Sequence, residues 1–591
     1  NVTDFSASGD VELGGNFSTA GAQNFGGNVS LAGDTSMSGV NATFSGIIGN
    51  DNNLSLNYSG GAISLGGSYS GIADFTAETD VNLNGSFSTS GSQTYNASAS
   101  LSGDTTLTGI SASFAKGLEG GGNDLTLNFS QASTLGSLSK INNFTSEGAV
   151  DLNGTLDTSG SQTYNGNLTL SGDTSLSGTT GSFAGAVEGN GNNFSLNFTG
   201  GEIALGGSLS GIGDFTADSA VSLGGNLSTS GSQTYNANAS LSGATTLSGS
   251  SFSFANGLDA GGNDLTLNFS KTSTLENISN IGNFTALDDV AINGTFATAG
   301  FQNYGTTQLN LLGDSTLEAT GFEFSTELAG NDHNLTLRSV GSSISLSNQI
   351  SRFGSVNSLT IADDLDLAGN LLAHTLDLQG NVSLAATVDI YGDNDATFRG
   401  AIDGAHGLDV LYHGNITFLE DIGATTPLQQ FSAGYGGSDT ESITLHGNVT
   451  TIGNQFFHAY TVLASDVTTT GGQVSFSGDV DGAGNNLTIH STGSTIFSGN
   501  NHTNLNELAI TADESNIRGL VSTSGNQSYA VEKFRISENL TLLSGAGNIN
   551  IGSAQNEAEL NANPKSGGFN LAIGDANQTG DVAIYGYGIE G

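Results

Sequence analysis

The chain has 591 residues, of which 89 are glycine, only 2 are proline and none is cysteine or tryptophan. It carries 10 lysines and arginines against 55 aspartates and glutamates, a formal net charge of −45, so nucleic acid and anionic membranes are poor partners, because phosphate groups are bound by basic side chains. The lack of cysteine excludes a disulfide scaffold and a thiolate metal site, and no apolar run of about 18 residues predicts a membrane-spanning helix.

A phenylalanine-containing theme opens the chain and returns four times. TDFSASGDVELGG (3–15) aligns with ADFTAETDVNLNG (73–85) and with three later segments. The alignment places five phenylalanines in register at a nearly constant step: Phe5, Phe75, Phe144, Phe215 and Phe284. Alternate copies are the closer relatives, so a longer period of twice this step overlies the shorter one. The pattern predicts five repeats: 1–72, 73–142, 143–213, 214–282 and 283–350.

Apolar and polar residues alternate within each repeat. In VNLNGSF, Val81, Leu83 and Phe87 fall on one side of the chain, and this period of two predicts β-strands. Glycine-containing turn signals recur too often for helices of normal length. We therefore expect an all-β protein, a right-handed parallel β-helix (β-solenoid) with about three coils per ~70-residue repeat. In the second repeat these coils are predicted at 73–95, 96–120 and 121–142. An array of small β-sandwiches is the alternative.

The register loosens after residue 350. ADDLDLAGN (362–370) still resembles the start of a repeat, and later segments are more diverged. All eight histidines lie at or after His333. We interpret residues 351–591 as a continuation of the same solenoid with diverged repeats.

The phrase TSGSQTYN occupies residues 89–96, and near copies stand at 158–165 and 229–236. Its aromatic and amide side chains suit a sugar face, which makes these residues carbohydrate-binding candidates: Gln93, Tyr95, Gln162, Tyr164, Gln233 and Tyr235. The other interpretation is that the rings pack inward and the glutamines bond corner backbone groups. Packing is favoured, because Tyr95 shares a side of the chain with Leu101 and because Phe25 replaces the tyrosine in the first copy.

Acidic residues follow glycine in a recurring GDT or GDS turn. Four of them are candidate ligands for loosely bound calcium: Asp34, Asp104, Asp173 and Asp314. The equivalent position in another repeat is Ala244, which a required ligand would not tolerate. EGGGNDL (119–125) and DAGGNDL (259–265) resemble calcium-binding nonapeptide repeats but lack their tandem spacing. Turn chemistry therefore explains the glycines and aspartates better than calcium does.

Catalysis has little support in the sequence. Polysaccharide-active β-helix enzymes need clustered carboxylates and a basic residue, yet residues 1–330 hold only Lys116, Lys140 and Lys271. In the second half the best catalytic candidates are histidines with nearby aspartates: Asp403, His406, Asp409 and His413. We expect that the protein is not an enzyme and that it needs no cofactor.

Two stretches, GSQTYNGNLTLSGDTSLSG (160–178) and GNITFLEDIGATTPLQQFSA (414–433), resemble the repeats of large bacterial exoproteins. These are the filamentous-haemagglutinin-type adhesins that Gram-negative cells secrete by two-partner or autotransporter routes. The resemblance covers most of the chain and implies a right-handed β-helical shaft at the cell surface or in the extracellular matrix. It implies a role in adhesion, aggregation or biofilm, and it transfers no individual binding residue.

The leading expectation is therefore an extracellular structural or adhesive shaft or filament subunit. Its expected partners are further copies of itself or adjoining repeat domains, stacked end to end, and polysaccharides of the cell surface or matrix. Nucleic acid and direct membrane insertion are not expected. The alternative functions are a carbohydrate-binding module with sites repeated along the shaft and, less favoured, a polysaccharide-active enzyme.

Overall fold

The structure, a computed structural model, forms two compact units, Asn1–Asp288 and Asp289–Gly591. The division falls near the start of the fifth predicted repeat, 283–350, and not at residue 350, where the sequence pattern loosens. The residues that the structure describes are 2–67, 69–305, 308–324, 326, 328–341, 343–346, 350–435, 439–552, 557–562, 570–575 and 579–590.

The first unit consists of short strands. In chain order, β1 to β35 are Phe5–Ala7, Val11–Ser18, Gln23–Gly39, Ala42–Tyr58, Ile63–Gly66, Tyr69–Ala77, Val81–Thr89, Gln93–Tyr95, Ala99–Gly109, Ala112–Phe114, Leu118–Glu119, Leu125–Phe129, Ser133–Leu135, Leu138–Ile141, Phe144–Ser146, Val150–Thr158, Ser161–Tyr164, Leu168–Gly178, Thr180–Phe183, Val187–Glu188, Phe194–Phe198, Ile203–Leu205, Leu209–Ile212, Phe215–Ala217, Val221–Leu223, Leu227–Thr229, Ser232–Tyr235, Ala239–Leu241, Thr245–Gly249, Ser251–Phe254, Leu258–Asp259, Leu265–Phe269, Ser273–Thr274, Ile278–Ser279 and Phe284–Ala286.

The second unit is built in the same way. In chain order, β36 to β68 are Val290–Ala297, Phe301–Tyr304, Leu309–Ala319, Gly321–Phe324, Leu335–Ser339, Ile344–Leu346, Ile350–Ile361, Leu365–Leu367, Leu371–Leu378, Val382–Leu384, Val388–Gly392, Ala396–Phe398, Ile402–Asp403, Gly407–Tyr412, Asn415–Phe418, Gln430–Ala433, Ser442–Leu445, Val449–Thr450, Gln455–Phe457, Thr461–Leu463, Val467–Gly471, Val474–Phe476, Val480–Asp481, Leu487–Ser491, Ser494–Phe497, Asn501–Leu505, Leu508–Thr523, Gln527–Ser544, Ile549–Ile551, Ala558–Ala562, Leu571–Ile573, Val582–Ile584 and Gly586–Glu590.

Parallel pairing of these strands decides the fold class. Phe5 pairs in parallel with Gln23, Val81 with Ala99, and Val480 with His502. The strands of both units stack as a β-solenoid, about 27 turns in all, which confirms the predicted all-β parallel solenoid. The sandwich alternative is wrong, because sequence neighbours in sandwiches pair antiparallel. No helix long and apolar enough to cross a membrane occurs in the part of the chain that the structure describes.

Alternation of side chains fills the interior. In β7, Val81, Leu83 and Phe87 are buried, whereas Asn82 and Ser86 between them are not. Each inward residue stacks on an inward residue of the next coil, so neighbouring coils bury one another's apolar surface. Tyr95 and Phe114, for example, lie one coil apart with ring centroids at 4.6 Å and planes 2° from parallel.

The coils are shorter than those predicted from the sequence at 73–95, 96–120 and 121–142. Strand pairing links the strand of Phe5 to that of Phe215 through eleven successive coils. One coil of the first unit therefore takes about 19 residues, which is the separation of Thr89 and Thr108, hydrogen-bonded across neighbouring coils. A ~70-residue repeat thus spans about 3⅔ coils, more than the predicted three and not a whole number.

The fractional coil count places successive repeats on different faces of the first unit. The Phe5 column passes through Ile63 and Val81, and Phe75 lies between them on another face. Phe144 lies between Leu138 and Leu156 on the third face, and Phe215 returns to the first. Equivalent residues thus share a face only every three repeats, about 53 Å apart at ~4.8 Å per coil.

Candidate functional site

The repeated phrase TSGSQTYN forms a buried polar corner. The Gln93 side chain is buried, and its Nε2 donates to the Thr108 carbonyl of the next coil at 2.9 Å and to Thr89 Oγ1 at 3.3 Å. Gln93 Oε1 accepts a hydrogen bond from the hydroxyl of Tyr95 at 2.8 Å. The amide therefore satisfies backbone and hydroxyl groups that the turn removes from the strand ladder.

The same corner recurs in the other copies. Tyr164 donates to Gln162 at 2.9 Å and Tyr235 to Gln233 at 3.0 Å. All six carbohydrate candidates are buried: Gln93, Tyr95, Gln162, Tyr164, Gln233 and Tyr235. Their rings offer no face to a sugar, which favours the packing interpretation over the carbohydrate-binding alternative. Burial also raises the pKa of the Tyr95 hydroxyl, so it stays protonated and remains a donor.

The remaining letters of the phrase have steric and capping roles. Thr89 Oγ1 donates to the Gly91 carbonyl at 2.8 Å, and the Ser92 N–H donates to Asp74 Oδ1 at 2.8 Å. A Cβ on Gly91 would lie 2.2 Å from that same Asp74 oxygen, so only glycine fits. In the other two copies a Cβ would clash in the same way, on Gly160 with Asn143 Oδ1 and on Gly231 with Asp214 Oδ1.

The first copy keeps the phenol hydroxyl although it has Phe25 in place of the tyrosine. Gln23 Oε1 accepts instead from the hydroxyl of Tyr58 at 2.5 Å. At the position of Tyr58 the next three repeats have Phe129, Phe198 and Phe269. The two positions thus exchange tyrosine and phenylalanine, and a donor reaches the buried glutamine in either arrangement. In the sequence Phe25 supported the packing interpretation, and the structure adds that Tyr58 supplies the hydroxyl that Phe25 lacks.

A corner in the second unit lacks this donor. Gln455 Nε2 still donates to the Thr470 carbonyl at 2.8 Å and to Thr451 Oγ1 at 3.2 Å. Phe457 stands where the tyrosine would be, and Gln455 Oε1 is buried with no hydrogen-bond partner among the described residues. The Phe457 ring stacks on Phe476 at 4.6 Å, as Tyr95 does on Phe114.

The four calcium candidates are corner caps. Each accepts a backbone N–H from the next coil through Oδ1: Asp34 from Asn53 at 2.9 Å, Asp104 from Asp124 at 3.0 Å, Asp173 from Asn193 at 2.9 Å and Asp314 from Asn334 at 2.9 Å. The bonds from Asn334 hold the pKa of Asp314 below its usual range. Within the described ranges, no group of three or more acidic, histidine or cysteine side chains has the arrangement of a metal site. Calcium binding here stays a prediction, and turn capping accounts for the aspartates.

The capping bonds continue from coil to coil. Asn53 Oδ1 accepts the N–H of Asp74, whose Oδ1 accepts that of Ser92, at 3.0 and 2.8 Å. Asp34 and Asp74 line an open groove of about 340 Å³ on this corner. The corresponding ladders from Asp104 and from Asp173 lie at the other two corners, because the repeats rotate between faces. The calcium candidates therefore do not lie together along one corner of the solenoid.

The two glycine-rich segments that resemble calcium repeats are tight corners. Gly121 and Gly122 have φ of 60° and 84°, conformations that side chains disfavour. Asn123 Nδ2 donates to the Gly120 carbonyl at 2.9 Å, and in 259–265 Asn263 donates to the Ala260 carbonyl at 2.9 Å. Backbone geometry accounts for both segments.

The four catalytic candidates do not form one cluster. Asp403 Oδ1 accepts the N–H groups of Thr425 and Thr426, both at 2.9 Å, as a turn cap. Asp409 lies beside Asp389 of the adjacent strand, and burial together with that carboxylate raises the pKa of Asp409. His413 pairs with neither of them. The half-exposed His406 has only backbone hydrogen bonds among its described contacts.

His413 belongs instead to a surface cluster that sequence reasoning missed, here called the aromatic patch: His374, Tyr391, Asp393, His413 and Tyr435. Asp393 lies between the two histidines, 3.1 Å from His374 Nδ1 and 3.6 Å from His413 Nδ1. Strand pairing brings these residues together from consecutive coils. Their spacing of about one coil along the chain was the available signal, and the assumed longer coil concealed it.

The aromatic patch is accessible to solvent. The His374 and His413 side chains are 38% and 45% exposed, and the Tyr435 ring stacks on that of His413 at 4.6 Å. Burial, Asp393 and Tyr391 together raise the pKa of Tyr435. The first unit has no histidine, and its least buried described rings, such as Phe5 and Phe252, are half-buried, as Tyr391 and Tyr435 are. Rings and a carboxylate at one surface give this patch the chemistry that a sugar ligand requires.

Comparison with known proteins adds no identification: no family model, no curated protein and no solved structure matches this chain.

The exchange between Phe25 and Tyr58 predicts a rescue. Tyr58→Phe leaves Gln23 Oε1 buried without a donor and should lower the free energy of opening of β3 by about 1–3 kcal/mol. Adding Phe25→Tyr should restore it, because Tyr95 shows that a hydroxyl on this ring reaches the glutamine. Hydrogen exchange at the β3 amides measures the effect. Tyr69→Phe is the control, since the Tyr69 hydroxyl is buried without a described partner. Additive losses in the double variant would contradict the exchange.

The unpartnered corner predicts a stabilising substitution. Phe457→Tyr places a hydroxyl beside Gln455 Oε1 and should stabilise the coils around β54 by about 1 kcal/mol. The measurement is the midpoint of the urea unfolding transition of the second unit, followed by hydrogen exchange. Phe476→Tyr adds a hydroxyl one coil away and is the matched control. Equal effects of the two substitutions would refute the assignment.

Proposed function

We propose that the chain is a structural shaft of an extracellular bacterial adhesin, in which stacked coils hold adhesive regions at a distance from the cell. The observation that carries the proposal is the burial of the repeated phrase. The side chains that recur most constantly in the repeat are buried at internal corners. Such a repeat adds length and stiffness to the solenoid rather than a ligand site.

The rotation of the repeats supports the same role. In the first unit, outward residues of successive repeats point in three directions, and a given direction recurs only after about 53 Å at ~4.8 Å per coil. Such an arrangement suits a spacer better than a flat binding face. The resemblance of 160–178 and 414–433 to filamentous-haemagglutinin-type repeats supports location at the cell surface or in the matrix, with adjoining repeat domains or further copies as partners.

Acidic charge is compatible with this environment. The net charge of −45 keeps long β-surfaces apart and soluble, which strand-rich extracellular proteins require. Calcium and other cofactors play no part in the proposed role.

Deletion of one repeat tests the shaft proposal. Removal of 75–143 joins Asp74 to Phe144, the equivalent of Phe75, so we expect a folded protein about 17 Å shorter, from ~4.8 Å per coil. Electron microscopy measures particle length, and immunogold labelling of intact producing cells measures location. Removal of 75–84, about half a coil, is the control and should abolish folding of the adjoining coils. Labelling confined to the cell interior, or turnover of a polysaccharide by the purified chain, would overturn the proposal.

A second candidate function is carbohydrate binding at the aromatic patch. It is favoured by partly exposed histidine and tyrosine rings and a carboxylate that lie together on consecutive coils. We expect Tyr435→Ala to reduce binding of the intact chain to a glycan array at least tenfold, about 1.4 kcal/mol. Tyr460→Ala, at an exposed tyrosine outside the patch, is the control and should retain binding. Equal losses in both variants, or no binding by the unmodified chain, would exclude this function.

A further inference from the structure

Buried polar atoms without a partner are concentrated in one part of the second unit. Eight such side-chain atoms occur in the described chain, and seven of them lie within residues 455–516, here called the polar core segment. They are Gln455 Oε1, Thr469 Oγ1, Thr495 Oγ1, both ring nitrogens of His502, Ser515 Oγ and Asn516 Oδ1. Such atoms weaken packing locally, because each has lost water without gaining a hydrogen bond.

Strand pairing places several of these groups on neighbouring coils. Thr495 pairs directly with Ser515 above it, and His502 follows Thr495 in the same coil. His502 itself stands in an otherwise aliphatic column, between Val480 below and Val521 above. Its ring meets that of Phe497 edge-on, with centroids at 4.8 Å. The interior here is therefore both polar and poor in hydrogen bonds.

His502 is the one fully buried histidine of the eight, all of which the structure describes. The charged groups near it offer little compensation. The Asp479 carboxylate already accepts hydrogen bonds from Asn500 N and Asn501 N, at 2.6 and 3.0 Å. Arg518, on the strand above, pairs with Glu538 and opposes a positive ring. A proton on His502 would thus place a charge in the core, which burial and Arg518 oppose and which Asp479 and the Gly499 backbone favour less strongly.

We propose that the polar core segment is an acid-sensitive opening point of the solenoid, where protonation of His502 separates coils that stay closed elsewhere. This inference does not depend on the proposed function.

The sign of the effect follows from burial. Burial lowers the pKa of His502 to about 4, against opposing contributions from Asp479 and the Gly499 backbone. The unfolded chain has the ordinary histidine pKa of about 6.5, so it binds the proton more tightly than the folded coil does. The contribution of the neutral His502 ring to the stability of the closed coils is therefore fully present above about pH 6.5. It is lost as the pH falls below that value. Between pH 7 and pH 4 this one group should raise the opening equilibrium roughly a hundredfold.

Hydrogen exchange and histidine NMR on the full chain test the proposal. After correction for intrinsic exchange, we expect opening of β58, β60 and β61 to increase roughly a hundredfold from pH 7 to pH 4. Strands of the first unit, such as β12, should not follow this dependence. His502→Leu and His502→Gln, which cannot titrate, should abolish it. His490→Gln, at an exposed histidine of β59, is the control and should keep it.

Three results would overturn the proposal: a His502 pKa near 6.5 in the intact protein, pH-dependent opening that persists in both His502 variants, or equal opening of β12 and β61. If neither His502 variant folds, the NMR titration of His502 together with the exchange of the unmodified chain decides the question by the same criteria.

Discussion

Every corner of a coil takes backbone N–H and C=O groups out of the strand ladder, and each must find another partner. Inside the first unit the partner is a glutamine amide such as Gln93, fixed in turn by a tyrosine hydroxyl. Outside, it is an aspartate or asparagine oxygen such as Asp74 Oδ1, which accepts the N–H of the next coil. Because both devices act between coils, they hold the register as well as the corner. The recurrence of glutamine, tyrosine, aspartate and glycine at fixed spacing follows from this constraint.

The same constraint explains much of the acidic composition without a ligand. Carboxylates such as Asp34 and Asp173 are placed by the N–H groups they accept, and their charge is a by-product of using aspartate as a cap. Asparagine serves equally well at Asn53 and Asn193. Sites of this kind rotate between the three faces of the first unit. In the regular repeats, therefore, the capping side chains are not concentrated on any one face.

Chemistry that is not part of the scaffold concentrates in the second unit. Outward aromatic rings and histidines appear at the aromatic patch, and unpartnered polar atoms appear in the polar core segment. In the described residues of the first unit, Tyr69 carries the single unpartnered buried atom of this kind. Divergence of the repeats after residue 350 thus coincides with features that a pure spacer does not need.

The sequence alone determined the strands, the repeat and the solenoid class, because a period of two and a fixed repeat step are local properties of the chain. It also indicated that Tyr95 faces inward, since that residue continues an apolar alternation. It could not determine coil length, because glycine marks each corner but not how many corners close a coil. Only the tertiary structure decided how much chain one coil takes, that successive repeats change face, and that Tyr58 serves Gln23. These depend on which residues meet across coils, and such contacts leave no local pattern in the chain.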